Sequence, residues 1–238
     1  MSTLHELSAA ELLAGYRQRQ FSPVEVARDV LEHITRWEPH LAATWLLRPE
    51  AALAQARASE ARWLRGAPCG LLDGVPATLK DNIATAGDPT PLGTAAVPLV
   101  PASADAPPAA RLREAGAVLI AKTTMPDYGM LSSGLSSFHA LARNPWDLSK
   151  GPGGSSAGAG AAAAAGYGPL HVGTDIGGSI RLPASWCGIF GLKPSLGRVP
   201  IDPPYTGRAA GPMTRTVQDA ALMMQVLSRP DARDSMSL

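Results

Sequence analysis

The chain has 238 residues, a formal net charge of +1 and 45% hydrophobic residues, enough to bury a sizeable core. The near-neutral balance gives no reason to expect a nucleic-acid or acidic-membrane partner. Two cysteines, with no Cys-x-x-Cys pair and no His/Cys cluster, argue against a disulfide framework or a zinc site.

The N-terminal "MSTLHELSAAELL" has no basic start, apolar core or cleavage site, so the chain is read as a soluble cytoplasmic protein. Ser8-x-x-Glu11 and Ser22-Pro23-x-Glu25 are helix-start signals, the second with proline at the first helical position. The segment 23–39 places Val24, Ala27, Val30, Leu31 and Ile34 on one face of an amphipathic helix. A second helix is expected over 49–66, stopping at Gly66.

Beyond it come short apolar runs bounded by turn residues, "GVPATLK", "AVLIAKTT", "PLHVGTD" and "GIFGLKP", which read as buried strands. "APPAARLREAG" and the Ala-rich run after Ser156 read as helices between them. Thr216-Val-Gln-Asp219 opens a last helix, with Val217, Ala220, Ala221, Met224 and Leu227 expected on one face. This alternation predicts an α/β fold with helices covering the sheet.

Two Gly-Gly-Ser clusters, Gly153-Gly154-Ser155 and Gly177-Gly178-Ser179, stand out in a nearly uncharged stretch. Glycines ahead of Ser179 let the backbone approach a ligand and turn its N–H groups toward an oxyanion; equally, they serve a tight strand-to-helix turn. A G-x-S-x-G match at 154–158 lacks the preceding strand that a hydrolase elbow needs. None of His5, His33, His40, His139 and His171 sits in a recognisable motif. Lysine is scarce, with only Lys80, Lys122, Lys150 and Lys193. Lys80 closes a buried strand, where it is either a desolvated neutral amine or an ordinary strand-end lysine reaching solvent.

"PGGSSAG", "GTDIGGSIRLPASWCGIFGLKP", "GVPATLKDN", "AGAVLIAKTTMPDYGM", "RNPWD" and "GPMTRTVQDAALM", in family order along the chain, resemble the amidase signature hydrolases. The resemblance implies a mixed sheet covered by helices. It also implies linear amide hydrolysis through a Ser–Ser–Lys triad: Lys80 as base, Ser155 as bridge and Ser179 as nucleophile. The backbone of Ile176, Gly177, Gly178 and Ser179 would form the oxyanion hole. Asp175 and Arg181 would pair to hold the loop, and Met130 and Ser132 would line the pocket. Trp186 and Cys187 read as core.

Members of that family are longer, so residues 1–238 are expected to be the N-terminal portion of the domain, incomplete at the C-terminus. The apolar face of helix 216–228 would then need cover, from a second copy or a complementing C-terminal chain. The substrate is expected to be a small-molecule amide, with no cofactor, metal, nucleic acid or membrane involved. The alternatives are the ammonia-releasing A subunit of a glutamyl-tRNA amidotransferase and an inactive truncated remnant. "PIDPPYTGRAAGPMTRT" argues against the first, standing where that protein would carry a Ser-Leu-Asp-Gln-like stretch.

Overall fold

Two capping boxes start the helical layer of the computed structural model, which describes residues 3–238; Met1 and Ser2, where the segment read for targeting signals begins, lie outside them. Ser8 Oγ accepts from Glu11 N (3.2 Å), and Glu11 accepts from Ser8 N (2.8 Å), opening α1, Ala9–Gln18. Ser22 and Glu25 repeat the exchange ahead of α2, Pro23–Leu41. Each box satisfies two backbone donors that the first turn would otherwise leave unpaired. The α2 stripe is as the spacing predicts, burying Val24, Ala27, Val30, Leu31 and Ile34, with Val26 in addition. The helix runs past Pro39, because buried Leu41 anchors a final turn that ends at Ala42 in the left-handed region (φ 46°).

The remaining elements are β1 (Thr44–Leu47), α3 (Pro49–Leu64), β2 (Pro76–Lys80), α4 (Pro107–Glu114) and β3 (Val118–Thr123). After these come α5 (Ala157–Ala164), β4 (Leu170–Asp175), α6 (Arg181–Cys187), β5 (Phe190–Gly191), β6 (Ala209–Thr214) and α7 (Val217–Leu227). They build a six-stranded mixed sheet in the order β1-β3-β2-β4-β6-β5. The central β3, β2 and β4 are parallel, β1 and β6 flank them antiparallel, and β5 pairs antiparallel with β6. Every residue of β2, β3 and β4 is buried, as expected of parallel strands covered on both faces. The core joins this sheet to the helices through Val30, Ile34, Leu79, Ile120, Leu170, Val172 and Leu227, among others.

The structure departs from the sequence expectations in several places. "GIFGLKP" forms a strand only at Phe190–Gly191. The strands β1 and β6 carry no clear strand signal; β6 contains Gly211-Pro212, a pair that reads as a turn. Pro212 has no N–H to give, and its carbonyl accepts from Leu192 N at 3.0 Å. On α7 the buried side is rotated from the predicted one: Ala220, Met223, Val226 and Leu227 are buried, whereas Val217 is 57% exposed. That face packs within the chain against β6, α4 and α1, so the predicted apolar stripe awaiting a partner is not present. Trp186, expected in the core, is half exposed, because the short α6 turns its ring outward while Cys187 points in.

Topology places the site. β2 and β4 are parallel, so Lys80 and Asp175 finish at the same end of the sheet, and β6 begins beside them with Ala209 opposite Asp175. Ligands favour this carboxyl end of parallel strands, where loops diverge. The helix α5 lies hard against the sheet because its residues are only alanine and glycine; Gly158 N donates to Thr124 O at 3.0 Å. A Cβ on Gly158 would strike Ala43 O and Thr124 N. Gly158→Ala should therefore destabilise the chain by roughly 1–3 kcal/mol through overpacking, reversing the gain that alanine normally brings to a helix. A urea unfolding midpoint equal to or above that of the parent would contradict this.

Candidate active site

Three loops at the carboxyl end of the sheet bring the sequence-predicted residues together. Lys80, the last residue of β2, is fully buried. Its Nζ donates to Ser155 Oγ at 2.7 Å. Ser155 is itself buried, just ahead of α5, and the Gly154–Ser155 peptide bond is cis. The glycines around it are there for close approach: a Cβ on Gly154 would come within 2.5 Å of Ser133 O, and one on Gly153 would meet Pro183 at a φ of 85°.

Ser156 ties this loop to the next. Its N–H donates to the Ser179 carbonyl at 3.1 Å, its Oγ donates to Thr174 O, and Thr174 N donates back to it. Ser179 is partly exposed and lines a cavity of about 270 Å³ together with Ser155, Asn82, Thr174 and Arg208. Met130 and Ser132 line the same cavity, as the family resemblance implies, and so do Ile176 and Gly177. No hydrogen bond joins Ser155 Oγ to Ser179 Oγ. The two hydroxyls line the same cavity.

Asp175 organises the loop that carries Ser179. Its carboxylate accepts from Gly178 N (2.8 Å) and Ile180 N (3.0 Å), and from the Arg181 guanidinium at 3.0 and 2.9 Å. The expected pairing is thus present, with Asp175 buried and the Arg181 side chain 55% exposed. Burial by itself would raise the Asp175 carboxyl. The Arg181 guanidinium and the backbone donors outweigh it and hold the group at about 2, so Asp175 is a fixed anion. One of the four residues named for the oxyanion hole has its donor engaged here, since Gly178 N–H is given to Asp175. The N–H groups of Ile176, Gly177 and Ser179 have no acceptor among the described residues. Gly178 keeps a backbone role, with a φ of 123° that only glycine adopts readily. The helix begins at Arg181, so Ser179 lies ahead of its first turn.

Burial drives the Lys80 ammonium down to about 7, and the Arg208 guanidinium adds to the shift; Asp81 and Asp175 oppose it. The fold therefore binds the Lys80 proton less readily than the unfolded chain does. Lys80 detracts from stability fully below about pH 7, and the cost fades as pH rises from there toward the ordinary lysine value.

None of the five histidines lines the cavity. His171 is buried in β4 between Thr78 Oγ1 (2.8 Å) and Gly168 O (3.1 Å), with burial pushing its ring down to about 3. His139 contacts Asp81 at 3.1 Å in the interior. Cys69 and Cys187 are unpaired, and no group of metal-ligating side chains forms among the described residues. No described helix is long and apolar enough to cross a membrane.

Six cavity residues escape sequence reasoning: Tyr128, Gly129, Leu131 and Thr174, and two that bear on the chemistry, Asn82 and Arg208. Asn82 donates to Thr174 Oγ1 at 3.1 Å and leaves its own buried carbonyl oxygen unpartnered. Its position two residues after Lys80 was the available signal. Arg208 lies in an irregular loop that carries no signal at all.

Comparison with known proteins agrees with this architecture. The Amidase family model matches residues 25–238. The chain is 42% identical over 236 residues to the A subunit of the glutamyl-tRNA(Gln) amidotransferase of Methylococcus capsulatus, covering 98% of this chain and 48% of that protein. Among solved structures, a bacterial aryl acylamidase of the amidase signature family superposes with a TM-score of 0.93 at 37% identity, over 100% of this chain and 50% of that one. The peptide amidase of Stenotrophomonas maltophilia gives 0.91 at 32% identity, over 98% and 50%. The chain spans about half the length of the relatives it matches. It belongs to the Amidase family, the amidase signature enzymes.

Proposed function

We propose that this chain carries the acyl-transfer half of an amidase signature site and hydrolyses the C–N bond of linear amides through a Ser179 acyl-enzyme. The observation that carries the reading is the fully buried Lys80 Nζ held 2.7 Å from Ser155 Oγ, beside the cavity that Ser179 also lines. A lysine near 7 is neutral in a large fraction of molecules at physiological pH. In that form its lone pair accepts the Ser155 O–H, reversing the direction of their hydrogen bond.

The Ser179 hydroxyl turns toward Ser155 and attacks the amide carbonyl carbon. Its proton passes to Ser155 Oγ as the Ser155 proton passes to Lys80 Nζ. The oxygen that gains charge is met by the uncommitted N–H groups of Ile176, Gly177 and Ser179. The proton returns through Ser155 to the nitrogen, the C–N bond breaks, and ammonia or an amine leaves. Water, deprotonated through the same relay, attacks the resulting ester and releases the carboxylate, restoring Ser179. Asp175 and Arg181 act by holding the Ser179 loop.

A second reading is that the chain works as the A subunit of a glutamyl-tRNA amidotransferase, releasing ammonia from an amide within a complex. The 42% identity to the Methylococcus capsulatus protein favours it; the segment 200–216 disfavours it. Glutaminase turnover that rises on adding partner subunits would decide for this reading.

Intact mass after exposure to a fluorophosphonate tests the acyl-transfer reading. Ser179 Oγ should displace fluoride and give a single adduct on the parent chain and none on Ser179→Ala. The labelling rate should climb with pH and level off above about 7 as Lys80 loses its proton. An adduct that persists in Ser179→Ala, or a rate independent of pH between about 6 and 9, would overturn the assignment. A folded chain that takes no adduct would mark a remnant, or a site completed only by a complementing chain.

A further inference from the structure

The cavity beside Ser155 and Ser179 has one charged side chain in its lining among the described residues, and that is Arg208. No Asp or Glu lines it. Arg208 is partly buried, and its guanidinium makes no side-chain hydrogen bond or ion pair with any described residue; it stacks on the Tyr205 ring at 5.0 Å. None of the nearby carboxylates pairs with it. Asp175 is saturated by Arg181 and backbone N–H groups, and Asp81 accepts from His139 and from Gly93 N (2.6 Å). Asp202 borders the adjoining crevice without pairing to Arg208.

A guanidinium offers five donors in a planar fork, and those of the partly exposed Arg208 meet no acceptor among the described residues. The group that satisfies such a fork best is a carboxylate, taken through two parallel hydrogen bonds. Arg208 directly precedes β6, whose first residue, Ala209, pairs with Asp175. The cation is therefore fixed to the strand end from which the Ser179 loop departs, at the mouth of the same cavity. Burial works against the charged guanidinium here, which an arriving anion would relieve.

We propose that Arg208 is a specificity determinant that seats a carboxylate borne by the amide substrate, so that the site takes small acid-amides in preference to neutral amides of the same length. This inference rests on the cavity being the amide-binding site, but its test does not require turnover. Binding of glutaramate and of pentanamide, which differ by a carboxylate in place of a methyl group, is measured by calorimetry on the Ser179→Ala chain. Glutaramate should bind at least about tenfold more tightly, the scale of a charge-assisted pair. Arg208→Gln in the same background should collapse that difference, and Arg208→Lys, which keeps the charge without the fork, should retain part of it.

Equal affinity for the two amides, no binding of glutaramate, or a preference that survives Arg208→Gln would each overturn the proposal, and would leave the guanidinium to a protein carboxylate or to solvent. Should Arg208→Gln fail to fold, the matched pair on the Ser179→Ala chain and on Arg208→Lys still decides. Fluorophosphonate labelling is read separately. An adduct without carboxylate preference defeats only the Arg208 assignment, and a carboxylate preference without an adduct defeats only the acyl-enzyme reading.

Discussion

Burying an amine with no carboxylate to pair it is the constraint on which the rest of the site depends. A lysine at the end of a parallel strand ordinarily extends into solvent and stays charged. Lys80 does neither, because β2 runs between β3 and β4 and the Ser155 loop closes over its end. The two nearby carboxylates, Asp81 and Asp175, are occupied by His139 and Arg181. They favour the charged form of Lys80 only at a distance, and burial outweighs them. Arg208 adds a second cation on the cavity side, so the same residue that invites an anion also helps to keep Lys80 neutral. The loss of stability this imposes is largest at and below about pH 7, the direction expected where a site is organised for chemistry at the expense of the fold.

Close backbone approach is the second condition, and it explains a composition that otherwise looks wasteful. The Ser155 and Ser179 loops come near enough for Ser156 N–H to reach Ser179 O; a Cβ on Gly153 would strike Pro183, and one on Gly154 would strike Ser133. The α5 helix continues the same economy, its small residues letting the Ser155 loop sit against the strand ends. Asp175 then converts one short loop into a rigid bracket by collecting Gly178 N, Ile180 N and the Arg181 fork. That bracket takes the Gly178 donor away from any oxyanion and leaves three others facing no acceptor.

Much of this was legible in the sequence, for identifiable reasons. Capping boxes at Ser8 and Ser22 are local chemistry, and local chemistry survives folding unchanged. The three central strands announce themselves as short, mostly uncharged runs bounded by turn residues, the pattern that burial on both faces produces. The strands β1 and β6 fail that test: β1 is only four half-buried residues between two helices, and β6 contains Pro212. On α7, the buried face depends on where the helix lies against β6 and α4, which periodicity alone does not reveal. Lysine scarcity pointed at four positions without ranking them; Lys80 and Lys122 are buried, and Lys150 is exposed. Resemblance separated Lys80 from Lys122. Arg208 was invisible because its meaning comes from the register of β6 with β4, a contact between residues far apart in the chain.

The site turns on Lys80 losing its proton near neutrality inside the folded chain. Carbon-13 labelling of the lysine Cε atoms, followed by an NMR pH titration with Lys80→Met to assign the signal, measures this directly on the four lysine resonances. A Lys80 signal titrating near 7 is the predicted result. A midpoint at the ordinary lysine value of about 10.4 would mean that Lys80 is charged throughout the working range and cannot serve as the base.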